Sequence, residues 1–268
     1  MTPMLDLRDV GRSFMAGTPN EVRALNGISL SLAPGDFVTV IGSNGAGKST
    51  LLNSIAGFVV PDTGRITLAG EDITRAPVHR RAALIGRIAQ DPTDSTCASM
   101  TIAENLAMAA RRGQRRLLRR AVTPARVADF AARLAHVGLG LEHRLQTRLG
   151  TLSGGQRQAV ALLMATIAGP RLLLLDEHLA ALDPRTGAAV MTLTGRLVSE
   201  SGLTTLMVTH NMAQAIGWGN RLVMMHAGRI IFEVGGAEKA ALTVEALVER
   251  FHRASGADLV DDRVLLAS

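Results

Sequence analysis

The 268-residue chain has one cysteine, no tyrosine, one tryptophan and 3% aromatic residues in all. A single Cys97 excludes an internal disulfide and a cysteine-rich metal centre, and an inert small side chain is its simplest reading. Long apolar runs are also missing. LLLL at 172–175 and AVALLMATIAG at 159–169 stop well short of the ~18 residues of a membrane span. The N-terminus, MTPMLDLRDVG, mixes acidic and basic residues and has no apolar core of a secretory signal, so the chain is expected to stay in the cytosol. Lysine is nearly absent. Lys48 and Lys239 are the only two, so the formal charge of +6 rests on arginine and reads first as compositional bias. The exception is RRGQRRLLRR at 111–120, which either meets phosphates of lipid or nucleic acid or forms a solvated helix face. No aromatic for stacking bases accompanies it.

What is present is an apolar content of 47%, ample for a packed core. Ile28, Leu30 and Leu32 alternate with Ser29 and Ser31, the period of a half-buried antiparallel strand, and RITLAG at 65–70 is expected in the same sheet. FVTVIG at 37–42, LIGRIA at 84–89, LLLLD at 172–176 and TTLMVTH at 204–210 are apolar without alternation, which suits parallel strands covered on both faces. Between the second and third of these lies a helical block. Thr101 and Glu104 form a capping box. Thr123 and Pro124 start a helix whose Val127, Phe130, Leu134 and Val137 share one face and which Gly138 ends. RLVMMHAGRIIFEVG reads as a hairpin and is followed by a helix from about Thr243 to Phe251, with no assignment beyond. The fold class is therefore α/β, with a helical subdomain inserted into a core.

Four of the parallel runs end in polar or glycine-rich elements. In open α/β sheets ligands bind at the carboxyl ends of strands, so these elements are expected to converge. GSNGAGKST at 42–50 matches G-x-x-x-x-G-K-[ST] between a strand and a helix. Backbone N–H groups of Ser43, Asn44, Gly45, Ala46, Gly47 and Thr50 would wrap phosphates, Lys48 would neutralise the β and γ oxygens, and Ser49 would hold magnesium. Asp176 would bind magnesium directly or through water, and Glu177 would polarise the attacking water. His210 would hydrogen-bond the γ-phosphate and hold the water in line. Gln90 would touch magnesium or the water. LSGGQ at 152–156 supplies a second anion-binding helix start: Ser153 is a good N-cap, Gly154 and Gly155 let backbone approach a ligand, and Gln156 begins the helix. So far from the phosphate loop, it suits a γ-phosphate bound by a second copy.

GSNGAGKST, Gln90, LSGGQ, LLLLDE, AALD and His210 resemble, in order and spacing, the nucleotide-binding subunits of ABC transporters, and the resemblance covers essentially the whole chain. It implies a RecA-like P-loop NTPase core with an N-terminal antiparallel β subdomain (1–90 and 168–251), a helical subdomain at 91–167 carrying the signature, and a tail at 252–268. It also implies ATP and Mg2+ as ligands and a head-to-tail homodimer in which Ser153, Gly154, Gly155 and Gln156 cap the partner's ATP. Asp183 would then lie at the dimer contact and Phe14 would stack on adenine. A membrane permease, a substrate-binding protein and a place on the cytoplasmic face of the membrane follow, with no nucleic acid. DEHLAALDP, TLSGGQRQ, VTHNM and GNRLVMMHAGRII are similar to the narrower group of ATPases of tryptophan/tyrosine uptake systems. His178 stands where the family commonly has proline, Phe14 where it often has tyrosine, and Leu179 where that group has threonine. The rival readings are an exporter subunit and a soluble ABC ATPase acting on ribosomes or DNA. Against the latter, the chain has one module, no long coil and no cysteine cluster.

Overall fold

The computed structural model describes residues 2–91, 95–114 and 120–255. The chain divides into two compact units, Met1–Arg81 with Gly202–Ser268, and Ala82–Ser201. The helical block expected at 91–167 falls inside the second unit.

In the first unit, β1 (Leu5–Phe14) pairs antiparallel with β2 (Val22–Leu32) on one side and β4 (Thr63–Leu68) on the other, and β5 (Glu71–Asp72) extends the edge. Leu7 stands opposite both Leu30 and Ile66. Leu5, Leu7, Ile28, Leu30, Leu32, Ile66 and Leu68 are buried while Ser29 and Ser31 are exposed, so period-2 patterning sets which face meets the core. Sequence reading had no strand for β1. Its register shifts between Leu7 and Val10, where Asp9 takes φ 50, and this irregularity breaks the alternation.

The unit's other strands are parallel at the centre. β3 (Phe37–Gly42) lies between β8 (Thr204–Val208) and β9 (Arg221–His226), and β10 (Arg229–Gly235) returns antiparallel along β9. Every residue of β3 and β8 is buried, which explains runs without a polar alternate. After β3 the chain enters α1 (Lys48–Ala56), and α2 (Val78–Arg81) closes the first segment. Arg81 is 1% exposed. Its guanidinium donates to the carbonyls of Ser54 (2.6 Å) and Ile55 (2.8 Å) in the last turn of α1, and to those of Ala76 (2.9 Å) and Thr74 (3.0 Å). Helix C-terminal carbonyls lack intrahelical donors, and this fork supplies them.

α7 (Met212–Gly217), α8 (Gly236–Ala240) and α9 (Val244–Ser255) complete the unit, with Met212, Leu222, Leu247 and Phe251 in one apolar cluster. Buried Lys239 of α8 donates to the carbonyls of Ile216 (3.0 Å) and Gly219 (2.9 Å), capping α7. The last helix runs past Phe251 to residue 255, beyond its expected end, and the tail from 256 lies outside the described residues.

In the second unit, β6 (Ile85–Ile88) and β7 (Leu172–Asp176) are parallel, with Ile88 opposite Leu175. Around them stand α3 (Ile102–Ala110), α4 (Pro124–Val137), α5 (Gly154–Thr166) and α6 (Pro184–Ser201). The expected Thr101–Glu104 capping box is present, Thr123 caps α4, and Gly138 ends it in the left-handed region. Phe130 and Leu134 pack with Ile102, Leu106, Val160 and Leu163. The described start of the arginine run, 111–114, is a turn beyond α3 and no helix face. Arg112 donates there to the Met164 carbonyl. Its charge thus serves the end of α5; residues 115–119 of the run lie outside the described residues. Among the described residues no helix is long and apolar enough to cross a membrane.

Candidate functional site

The phosphate loop hangs between β3 and α1. Gly47 precedes the helix at φ 97, and a Cβ there would lie 2.2 Å from the Ala24 carbonyl oxygen, so only glycine lets the loop lie against β2. Ala46 N–H donates to the Ser43 carbonyl (3.1 Å), and Gly228 N–H donates to that of Ala46 (3.1 Å), holding the loop from both sides. Lys48 is buried, with Nζ donating to the Gly42 (2.7 Å) and Ser43 (2.9 Å) carbonyls. Asn44, Gly45 and Ser49 are exposed at the mouth, and Thr50 is half-buried. First-turn N–H groups of a helix have no intrahelical partner, and the helix dipole adds positive potential, so this mouth suits an anion.

Two further candidates belong to this unit. β8 runs parallel to β3 with Val208 opposite Val40, and Thr209 N–H donates to the Val40 carbonyl (3.1 Å). His210 follows, exposed, where β3 opens into the phosphate loop. Phe14 ends β1 and is 37% exposed, with the Arg12 guanidinium carbon 5.0 Å from its ring centroid. Sequence reading passed over Arg12, whose contacts come from residues far along the chain.

The second unit gathers the acidic candidates. Asp176 is buried at the end of β7, and Arg87 of β6 places Nη2 3.9 Å from its Oδ2. A lone arginine in the apolar run LIGRIA marks this partner in the sequence. Glu177 turns away at φ 44, a left-handed backbone rare for a side chain of this size. Gln90, two residues past β6, donates from Nε2 to Glu177 Oε2 at 3.4 Å, so the adjacent strand exits bring these two together. His178 is buried within reach of Thr194, Oγ1 to Nε2 at 3.5 Å, and desolvation pushes it down to about 4, leaving a neutral imidazole at pH 7.

α5 begins at Gly154, two residues before the expected Gln156, because Ser153 is its N-cap. Gln156 N–H donates to Ser153 Oγ and Ser153 N–H to Gln156 Oε1, each at 3.3 Å. Ser153 and Gly154 are exposed, whereas Gly155 is buried where a Cβ would sit 2.2 Å from Thr186 Cγ2 of α6. Its lack of a side chain therefore serves helix packing as well as ligand approach. Asp183 accepts from Thr186 N–H (3.0 Å) and so caps α6, and the Thr186 hydroxyl first, then this N–H, hold its carboxyl below the usual range.

The oxygen donors of Ser49, Gln90 and Asp176 are hard ligands, the chemistry Mg2+ prefers. Among the described residues no three His, Cys, Asp or Glu side chains cluster as an all-protein cage, and Mg2+ held partly by substrate phosphates needs only one or two carboxylates.

Residues 25–180 match the ABC transporter family. Over 253 residues the chain is 41% identical to the tyrosine transport ATP-binding protein of Clostridioides difficile (strain R20291), covering 94% of this chain and 100% of that one. It is 36% identical over 229 residues to the spermidine/putrescine import ATP-binding protein of Acidothermus cellulolyticus, covering 85% of this chain but only 56% of that relative's length. A dimeric ATP-binding cassette solved in a post-hydrolysis state with ADP and Pi superposes with a TM-score of 0.73 at 27% identity, covering 87% of this chain and 98% of that one. With most of its length inside such matches, this chain is a member of the ABC transporter family, and the reaction it performs is ATP hydrolysis.

Proposed function

We propose that the chain is the ATPase subunit of an importer of small solutes, tyrosine or tryptophan among them. It works as a head-to-tail homodimer on the cytoplasmic face of the membrane, driving a permease served by a substrate-binding protein. The full-length similarity to a tyrosine transport ATP-binding protein supports the substrate class. The observation that supports the dimer is the start of α5, where Ser153 and Gly154 present an exposed, capped helix N-terminus in the unit that does not contain residues 42–50.

In this reading Phe14 stacks on adenine, and the amides of residues 43–47 with those of Ser49 and Thr50 hold the phosphates. Lys48 exchanges its loop carbonyls for the β and γ oxygens. Ser49, Asp176 and Gln90 would hold Mg2+, which would supply charge neutralisation. Glu177 takes the proton from the attacking water while His210 holds that water in line. Ser153, Gly154, Gly155 and Gln156 of one copy donate to the γ-phosphate on the other, and Asp183 lies beside that contact.

Glu177→Gln is expected to bind ATP, stall before hydrolysis and accumulate as a dimer by light scattering. A monomer at saturating ATP would sink the trans site. Purification of the tagged chain in mild detergent is expected to bring down a multi-span membrane protein in near-equal amount. Ribosomal proteins or nucleic acid in its place would overturn the transport reading.

A further inference from the structure

Between α1 and β4 the chain passes through Asp62, which is bonded to three consecutive residues at the end of β1. Its N–H donates to the Gly11 carbonyl (2.8 Å). One carboxylate oxygen accepts from Ser13 N–H and the other from Arg12 Nη1, both at 2.7 Å. The same Nη1 also donates to the Val60 carbonyl (3.1 Å). Arg12 and Phe14 lie two residues apart at the end of β1, beside a register shift between Arg12 and Ser13. The guanidinium rests over the phenyl ring, 5.0 Å from its centroid.

A surface ion pair contributes little to stability, and the side chains of Arg12 and Asp62 are 29% and 45% exposed. Asp62 satisfies backbone groups of β1 without Arg12, so the ion pair itself adds little to the fold. We propose that Arg12, anchored by Asp62, is a positioning and specificity residue for the nucleotide base. It holds the Phe14 ring in one orientation and covers one face, leaving the other as the stacking surface for adenine. This rests on the reading of Phe14 as the base platform. A phenyl ring at an exposed strand end otherwise samples several rotamers, and binding must then order it. A cation over one face keeps the ring in place by cation–π attraction. The gain depends on stacking overlap, so it is larger for a purine than for a pyrimidine, and absent for a ligand without a base.

The test measures calorimetric Kd values of the full chain for ATP, CTP and inorganic tripolyphosphate. Arg12→Met keeps the aliphatic stem and removes the charge. It is expected to weaken ATP about three- to fivefold, CTP less, and tripolyphosphate not at all. Asp62→Asn, which loosens Arg12 while leaving the Arg12 and Phe14 side chains themselves intact, should give the same pattern with smaller amplitude and stands in if Arg12→Met folds poorly. Phe14→Ala separates the two claims. If it leaves ATP binding unchanged, the base-platform reading falls and this inference with it. If Phe14→Ala weakens ATP but neither Arg12→Met nor Asp62→Asn does, the positioning role alone is overturned. Equal weakening of tripolyphosphate by Arg12→Met would also overturn it, because Arg12 would then act as a phosphate charge.

Discussion

The Lys48 ammonium donates to the Gly42 carbonyl oxygen at 2.7 Å, closing the phosphate loop over its own backbone. The lysine thus ties the first residue of α1 back to the end of β3. Lys48→Ala is expected to weaken ATP binding or slow hydrolysis by about 100-fold, the scale of a lost charge-assisted contact. Steady-state ATPase rates and nucleotide titration check this. Wild-type rates in the variant would contradict the role given to Lys48.

Arg81 fixes the other end of the same helix. Replacing it with methionine strips two buried carbonyls, Ser54 and Ile55, and two part-buried ones, Thr74 and Ala76, of this donor, at a cost of about 3 kcal/mol. Arg81→Lys should recover only part of the loss, since an ammonium cannot reproduce the planar fork. Urea midpoints of the three proteins decide it. A shift under about 1 kcal/mol for the methionine variant would mean that the carbonyls rehydrate easily.

His178 makes stability depend on pH. Its imidazole ordinarily titrates near 6.5 and is pushed down to about 4 by burial in the folded chain. Between those values the unfolded chain holds a proton that the folded one refuses. The stabilisation is complete above pH 6.5 and is lost as pH falls towards 4, to a total of about 3 kcal/mol. His178→Leu should flatten this slope. Equal slopes for both proteins in urea melts at pH 7 and pH 4.5 would refute the assignment.

Much of the fold was legible because its determinants are local. The non-alternating runs that became β3, β7 and β8 report burial on both faces, and Thr101, Thr123 and Ser153 cap helices three residues or fewer ahead of their bonded partners. The irregularity at Asp9 hid β1, since one shift of register breaks the period on which a strand is recognised. Of the site, the residue types and their order were legible. What escaped depends on distant chain: the Asp62–Arg12 clamp joins residues 50 apart, and the buried setting of His178 comes partly from Thr194 on α6. The glycine at 155 was read for its ligand-facing role, while its packing against Thr186 required knowing where α6 runs.

The parallel partners of β3 have a consequence for how the protein is made. Phe37 N–H, at the head of the strand that leads into the phosphate loop, donates to the Asn220 side chain 183 residues further on. At ribosomal speeds that interval lasts on the order of ten seconds or more. For most of it, until Thr204 is made, an apolar strand has emerged without either of its parallel neighbours. The growing chain therefore has to be shielded before it can bind ATP, and a fragment that stops short of residue 204 is a client for chaperones and proteases, with no working phosphate loop.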